Sequence, residues 1–347
     1  MDRRIAAAEP RNGDMIAVSL LICTRDRGVS LERTLASVSR AAEAADGIEV
    51  VVVDNGSSDD TPARLNAWRE RQRFAVTLVD EPRPGLARAR NAGLARARGR
   101  IVAMTDDDCV LDPGYFTMLS ARFAAATAPV VMGGRILLGD PADLPVTIKL
   151  EDHAMVAAAD RYPGGFVMGA NLAFTRDVVA LVGPFDERFG AGAPFLAAED
   201  TDFLFRAMGC GIPVRYDPHF VVAHHHGRRS SEALRSLLAG YAFGDGAVYA
   251  KHLFGDPRIA RALKADVGEA LAELRTPRRL FPAIRLFHMF RLRHLAAGFA
   301  CYLASITRNA IVRRDEGAPP AAVSSKRPGS VSRSFPIVPW RVGGGGG

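Results

Sequence analysis

Four short apolar runs alternate with helix-patterned segments across the first third of this chain. That alternation restricts the fold more than any other feature. The runs are residues 17–23, 48–53, 74–79 and 101–105, and the segments between them are 29–44, 62–71 and 86–98. Short continuous apolar runs bounded by turn residues read as strands buried on both faces. Strands joined by helices form βαβ units with right-handed crossovers. The expectation is an α/β fold with a Rossmann-like, mostly parallel sheet flanked by helices.

Further along, residues 113–125 and 144–159 read as helices, 130–138 as a strand, and 213–216 and 220–223 as short strands. From residue 231 the pattern is helical to about 310. This predicts a flexible lead-in over 1–15, an α/β domain over 16–230, a helical C-terminal extension over 231–312 and a tail over 313–347. The tail is rich in Pro, Ser, Arg and Gly, a composition too poor in apolar residues to pack, so disorder is expected there.

A chain of 347 residues with 48% hydrophobic and 24% charged content can bury a sizeable core. Neither a secretory leader nor an apolar stretch of membrane-spanning length is evident. Cys23, Cys109, Cys210 and Cys301 have no paired spacing, which predicts reduced thiols in the cytoplasm and no zinc site. The net charge of +7 has one dense source: residues 275–294 hold six arginines and no acid, interleaved with Leu280, Phe281, Ile284, Phe287 and Phe290. Such a segment suits either an anionic membrane surface, here the inner face of the cell membrane, or an ordinary helix packed on its domain. No nucleic-acid recognition motif accompanies the charge, so a nucleic-acid partner is not expected.

Polar loops follow each strand-like run, and ligands of open α/β sheets bind at the C-terminal edge. Asp106, Asp107 and Asp108 end the fourth run. Three carboxylates crowded there repel one another, and a divalent cation would relieve the repulsion; capping the next helix is the plainer use. Thr24-Arg25-Asp26-Arg27 follows the first run, and Asp54 opens an Asn-Gly-Ser-Ser turn after the second. An acid in that second position reads as a ribose or base contact, or as a local turn former. Gly85 precedes a helix carrying Arg88, Arg90 and Asn91, where backbone N–H groups and positive charge favour an anion. Neither a Walker loop nor a dinucleotide fingerprint is present.

Taken in order, these motifs resemble the nucleotide-sugar-binding half of the family 2 glycosyltransferases, which have the GT-A fold. The matching stretches are residues 20–27, 51–59, 85–93 and 105–110, continued at 169–174, 183–186 and 199–203, so the likeness covers about 16–226. It implies transfer of a sugar from a nucleoside diphosphate to the hydroxyl of a glycan or lipid-linked acceptor, with inversion at the anomeric carbon. It further implies Mg²⁺ or Mn²⁺ held by Asp106 and Asp108, with His224 as a third ligand. Thr24, Arg25, Asp26, Asp54, Gly85, Arg90, Asn91, Asp107 and Asn171 would face the donor. Asp200 would be the base, with Glu199 the second candidate.

The chemistry is consistent with those roles. A metal stabilises the charge developing on a diphosphate leaving group, and attack opposite to it needs a base on the other face of the sugar. Asp200 stands between Glu199 and Asp202, so like-charge crowding could tune it; an acid-rich helix start complementing the dipole is the bland alternative. His224, His225 and His226 cannot all reach one ion from a strand, because alternate residues face opposite ways, so either His224 or His226 is the ligand or the three form a surface cluster. Two rival functions are a sugar nucleotidyltransferase, whose Gly-rich basic loop after the first strand is missing, and a non-catalytic nucleotide-sugar or glycan-binding module.

Overall fold

All four apolar runs are strands in the computed structural model, which describes residues 16–277, 280–281 and 284–316. The lead-in 1–15 and the tail from 317 lie outside the described residues. In chain order the elements begin β1 (Val18–Thr24), α1 (Gly28–Ala42), β2 (Ile48–Asp54), α2 (Thr61–Arg69), β3 (Ala75–Asp80), α3 (Leu86–Leu94) and β4 (Ile101–Asp106). They continue with β5 (Cys109–Leu111), α4 (Tyr115–Phe123), β6 (Val131–Leu138), β7 (Met155–Val156), β8 (Asn171–Thr175), α5 (Asp177–Val182), α6 (Glu199–Gly209) and β9 (Val214–His224). Three long helices follow, α7 (Ser231–His252), α8 (Pro257–Arg275) and α9 (Phe287–Glu316).

The sheet runs β3-β2-β1-β4-β8-β6-β9-β5, with β7 paired to β9. Strands β3, β2, β1 and β4 are mutually parallel, and β8 enters antiparallel beside β4. Because successive strand residues face opposite ways, Leu20, Ile22, Val50 and Val52 pack under α1, α2 and α4, while Leu21, Val51, Val53 and Met104 pack toward α3 and α6. Burying each such side chain stabilises the fold by roughly 1.5–3 kcal/mol. Two buried layers therefore fix the sheet, and its C-terminal edge carries the polar loops.

Two expectations are corrected. Residues 144–159 are not helical. The Leu144 N–H donates to the Arg228 carbonyl at 2.8 Å, and Lys149 exchanges backbone hydrogen bonds with Ile136, so β6 and the segment after β9 take the groups a helix would need. The two short strands expected over 213–216 and 220–223 are one strand, β9. Pro218 can donate no ladder hydrogen bond, and the pairing with β6 slips between Gly134 and Arg135 to absorb the irregularity.

The C-terminal helices share a core with the α/β part: Phe189, Phe195 and Ala198 pack with Ala247, Val248, Ala250 and Tyr302. Residues through Ser305 form one compact unit; the second begins at Ile306, and its described part is helical. No described helix is long and apolar enough to cross a membrane. Within the arginine-rich segment, Ile284 is buried, and Arg291 pairs with Asp245 and Asp266 at 2.9 Å each. Arg278 and Arg279 lie outside the described residues.

Candidate active site

Parallel register brings the loop residues together. Thr24 lies opposite Asp54, and Cys23 opposite Asp106, at the ends of β1, β2 and β4. The aspartate triplet forms the turn from β4 into β5, and β5 pairs antiparallel with β9 so that Cys109 stands opposite His224. That pairing carries a histidine from residue 224 to the carboxylates near 107. His224, the last residue of β9, and His226 just beyond it have ring centroids 5.3 Å apart, while His225 turns away to meet Arg33.

Two cavities open at this edge. One of about 310 Å³ is lined by Thr24, Arg25, Arg27, Asn55, Gly85 and all three aspartates. The other, of about 560 Å³, is lined by Arg90, Asp106, Glu199, Asp200, His224 and parts of α7 and α9. They share Leu86, Asp106, Ala191 and Arg228. Both sizes fall in the range of small-molecule sites.

In the smaller cavity Asn55 is a keystone. Its Nδ2 donates to the carbonyls of Glu81 and Arg83 at 2.8 Å each, and its Oδ1 accepts from the Gly85 N–H at 2.9 Å. Gly85 has φ of +138°, a backbone conformation that side chains rarely adopt, so the tight entry into α3 depends on glycine. Asp26 and Asp54 serve the loops themselves: Asp26 Oδ1 accepts from the Ser58 N–H at 2.7 Å, and Asp54 Oδ1 accepts from the Ser57 N–H at 3.0 Å. Neither lines either cavity.

The three aspartates have separate environments. Asp107 accepts from Thr24 Oγ1 at 2.7 Å, and burial pushes its carboxyl up to about 6 despite that bond. Asp106 is also raised by burial, which outweighs Arg90 at 3.6 Å. Burial opposes the charge of Asp108 too, but the His224 ring and Arg27 hold it below its ordinary value. His224 rises in turn: burial disfavours its charge, and Asp108 beside it wins.

Asp108 Oδ1 is buried and lacks a hydrogen bond; His224 Nε2 lies 3.1 Å away but out of line for one. An orphaned carboxylate oxygen beside an imidazole nitrogen is a cation site in waiting. Asp106 lines a cavity with His224, but it is not in the group formed by Asp108, Cys109 and His224, whose donor atoms lie within 4.8 Å of one another. Carboxylate oxygens and an imidazole nitrogen are donors that Mg²⁺ or Mn²⁺ accepts. The Cys109 thiol is also within 4.8 Å of the Asp108 and His224 donor atoms, but burial raises it well above its ordinary value and keeps it protonated.

Of the acidic pair that opens α6, Glu199 is committed. Arg90 Nη1 donates to its Oε1 at 2.7 Å, and burial pushes the carboxyl up to about 7 against that arginine's pull. Asp200 lines the cavity, with Oδ2 accepting from the Gly169 N–H at 2.8 Å and Oδ1 from the Thr201 N–H at 2.7 Å. Ala198, just before the pair, holds a left-handed φ of +69°, so a kinked backbone aims these two acids.

Asn91 and Asn171 have other tasks. Asn91 clamps both backbone groups of Phe185 at 2.9 Å. Asn171, fully buried, donates to the carbonyls of Arg135 and Phe220 at the β6–β9 irregularity and accepts from the Tyr115 hydroxyl. Neither reaches a cavity. Sequence reasoning assigned no role to Arg27, Asn55, Tyr241 or Asp245. Asn55 alone had a signal, the Asn-Gly turn; Tyr241 and Asp245 lie on a helix whose inward face only packing defines.

A parallel α/β edge joined to an antiparallel extension, with an acidic turn facing an acidic helix start, defines a GT-A type fold. Residues 19–179 match the family model described as Glycosyl transferase family 2. A validoxylamine A glucosyltransferase of Streptomyces hygroscopicus is 32% identical over 117 residues, 33% of this chain and 28% of the relative. The pre-mycofactocin glycosyltransferase of Mycobacterium tuberculosis is 27% identical over 254 residues, 71% of this chain and 50% of the relative. The chain thus spans half or less of the length of these two relatives. A solved mannosyltransferase from Pyrobaculum calidifontis, in complex with GDP-Man and Mn²⁺, shares the fold with a TM-score of 0.53 at 20% identity, covering 86% of this chain and 80% of that one.

Proposed function

We propose that the chain is an inverting glycosyltransferase that moves a sugar from a nucleoside-diphosphate donor to an acceptor hydroxyl. The observation that carries the reading is the joining of the two cavities at Asp106, with the Asp108–His224 pair on one side and Asp200 on the other. The smaller cavity suits the nucleotide, and its Arg25, Arg27 and Arg228 suit the diphosphate. The printed ligands of the mannosyltransferase, a nucleotide sugar and Mn²⁺, support the same donor class.

Asp106, Asp108 and His224 would hold Mg²⁺ or Mn²⁺, which supplies charge neutralisation on the departing diphosphate. Asp200 takes the proton from the acceptor hydroxyl as its oxygen bonds to the anomeric carbon. The anomeric C–O bond to the diphosphate breaks on the opposite face. Glu199 is a positioning residue: paired with Arg90, it fixes the first turn of α6 and spaces Asp200 from the metal-side carboxylates. The α/β part to residue 230 and the helices beyond it share a core and together line the larger cavity. Exposed Arg275, Arg285 and Arg293 with Leu280 suit peripheral contact with the anionic inner face of the cell membrane.

The test of the donor class is thermal stabilisation by UDP-, GDP- and dTDP-sugars with and without Mn²⁺, since a ligand bound by the native state alone raises its stability. One nucleotide series should raise Tm in a metal-dependent way; no shift with any donor would overturn the reading. The nucleotidyltransferase alternative predicts instead a response to a nucleoside triphosphate with a sugar phosphate.

A further inference from the structure

The larger cavity has two chemically different ends. Its charged end holds Asp106, Asp200, His224 and Arg228. Its other wall is Leu196 from the loop before α6, Leu237, Leu238 and Tyr241 from α7, and Phe287 from α9. Leu196 and Tyr241 are 53% and 41% exposed, well above what packing within the fold leaves to most large apolar side chains.

Most polar groups beside that wall are already committed, the Tyr241 hydroxyl and the Arg228 guanidinium excepted. Asp245 accepts from the Tyr162 hydroxyl at 2.8 Å with one oxygen and from Arg291 at 2.9 Å with the other, and Arg291 Nε donates to Asp266 at 2.9 Å. The hydroxyls of Thr147 and Thr201 donate to the Val146 carbonyl and to Asp200. No Asn, Gln, Ser or Trp side chain lines the cavity. A sugar ring buried against such a wall would exchange its several water hydrogen bonds for little more than the Tyr241 hydroxyl, whereas an apolar body gains by the same burial.

The wall is also fixed in place. A side chain at Gly246 would run into the Leu295 carbonyl, and one at Gly298 into the Phe243 carbonyl, so α7 and α9 touch backbone to backbone. Gly244 meets the Ala197 carbonyl in the same way, locking α7 to the loop that aims Asp200. Whatever fills this space must bring its hydroxyl to Asp200 while its remainder lies on Leu237, Leu238, Tyr241 and Phe287.

We propose that α7 and α9 form the acceptor subsite, and that the acceptor is an amphipathic alcohol whose hydroxyl is carried next to an apolar aglycone, not a free glycan. The inference rests on the donor reading above. The probes are methyl, octyl and 4-nitrophenyl β-glucoside below micellar concentration, followed by saturation-transfer NMR on the full chain with nucleotide and Mn²⁺ present. The octyl and nitrophenyl compounds should bind at least tenfold tighter than the methyl compound, with their aglycone protons saturated at least as strongly as the sugar protons. Tyr241→Ser should reduce that preference at least threefold, and Leu237→Asp should abolish it, in variants that keep the wild-type circular dichroism. If Leu237→Asp fails to fold, Tyr241→Ser carries the comparison, its side chain being exposed. Equal binding of all three compounds, absence of binding, or an unchanged preference in Tyr241→Ser would overturn the proposal. Failure of the donor reading is read separately, as absence of any nucleotide-sugar shift in the wild type.

Discussion

Arg90 and Glu199, 109 positions apart in sequence, meet across 2.7 Å as buried members of the larger cavity's lining. The pair joins α3, on the donor side, to α6, which carries the proposed base.

The first prediction follows from that contact. Burial pushes the Glu199 carboxyl up to about 7 from an ordinary value of 4.5, so the folded state holds a proton that the unfolded chain has released. Stability from this group is therefore greatest below about 4.5, falls as pH rises through about 7, and is level beyond. Urea unfolding from pH 5 to 8 should show a downward slope in the wild type that Glu199→Gln flattens. An identical slope in both proteins would remove the assignment.

A second acid on the same helix behaves oppositely. Asp202 is fully buried and accepts from Arg206 Nε at 2.8 Å, Lys251 Nζ at 2.7 Å and His252 Nε2 at 2.8 Å, tying α6 to α7. Burial opposes its charge, yet these three donors hold its carboxyl at about 2, below the ordinary 3.8. Its stabilisation is full above about 4 and is lost as pH falls toward 2. Asp202→Asn should cost about 1–3 kcal/mol at neutral pH, because it removes a buried acceptor shared by Arg206, Lys251 and His252, while Lys251 keeps Asp186 and Arg206 keeps the Val182 and Pro184 carbonyls. A loss below about 1 kcal/mol in urea melts would show that the network adds little.

The aspartate triplet yields a ranking. Asp108→Asn and His224→Ala should weaken Mn²⁺ binding in calorimetry by more than the roughly 10–100-fold that loss of an outer-shell partner costs, since each removes a donor from the Asp108–His224 site. Asp107→Asn should alter Tm more than metal affinity, because Thr24 and Arg27 occupy its carboxylate at 2.7 Å and 3.9 Å. Equal losses for all three variants would mean that the whole turn, and not one face of it, holds the ion.

These rankings come from contacts that the sequence left partly hidden. The βαβ alternation over residues 17–105 was legible because buried parallel strands are continuous apolar runs, and the loop motifs then fell on one edge. Strand β5 was not, since three residues after an acidic turn carry no periodic signal; yet β5 is what brings His224 to Asp108. The helix expected over 144–159 failed because its backbone groups are taken by strands distant in sequence. Asn91 and Asn171 carried the right motifs but sit where backbone groups needed partners. Tyr241 and Leu237 were invisible as site residues because a helix pattern identifies an apolar face without naming what covers it.

The central claim is that Asp200 deprotonates the acceptor, and donor turnover tests it most directly. With the nucleotide sugar and Mn²⁺ that stabilise the wild type, release of nucleoside diphosphate should fall by roughly 10²–10⁴-fold in kcat for Asp200→Asn, the usual worth of a positioned base. Donor binding measured by calorimetry should change little. Wild-type turnover in Asp200→Asn, with donor binding intact, would contradict the account.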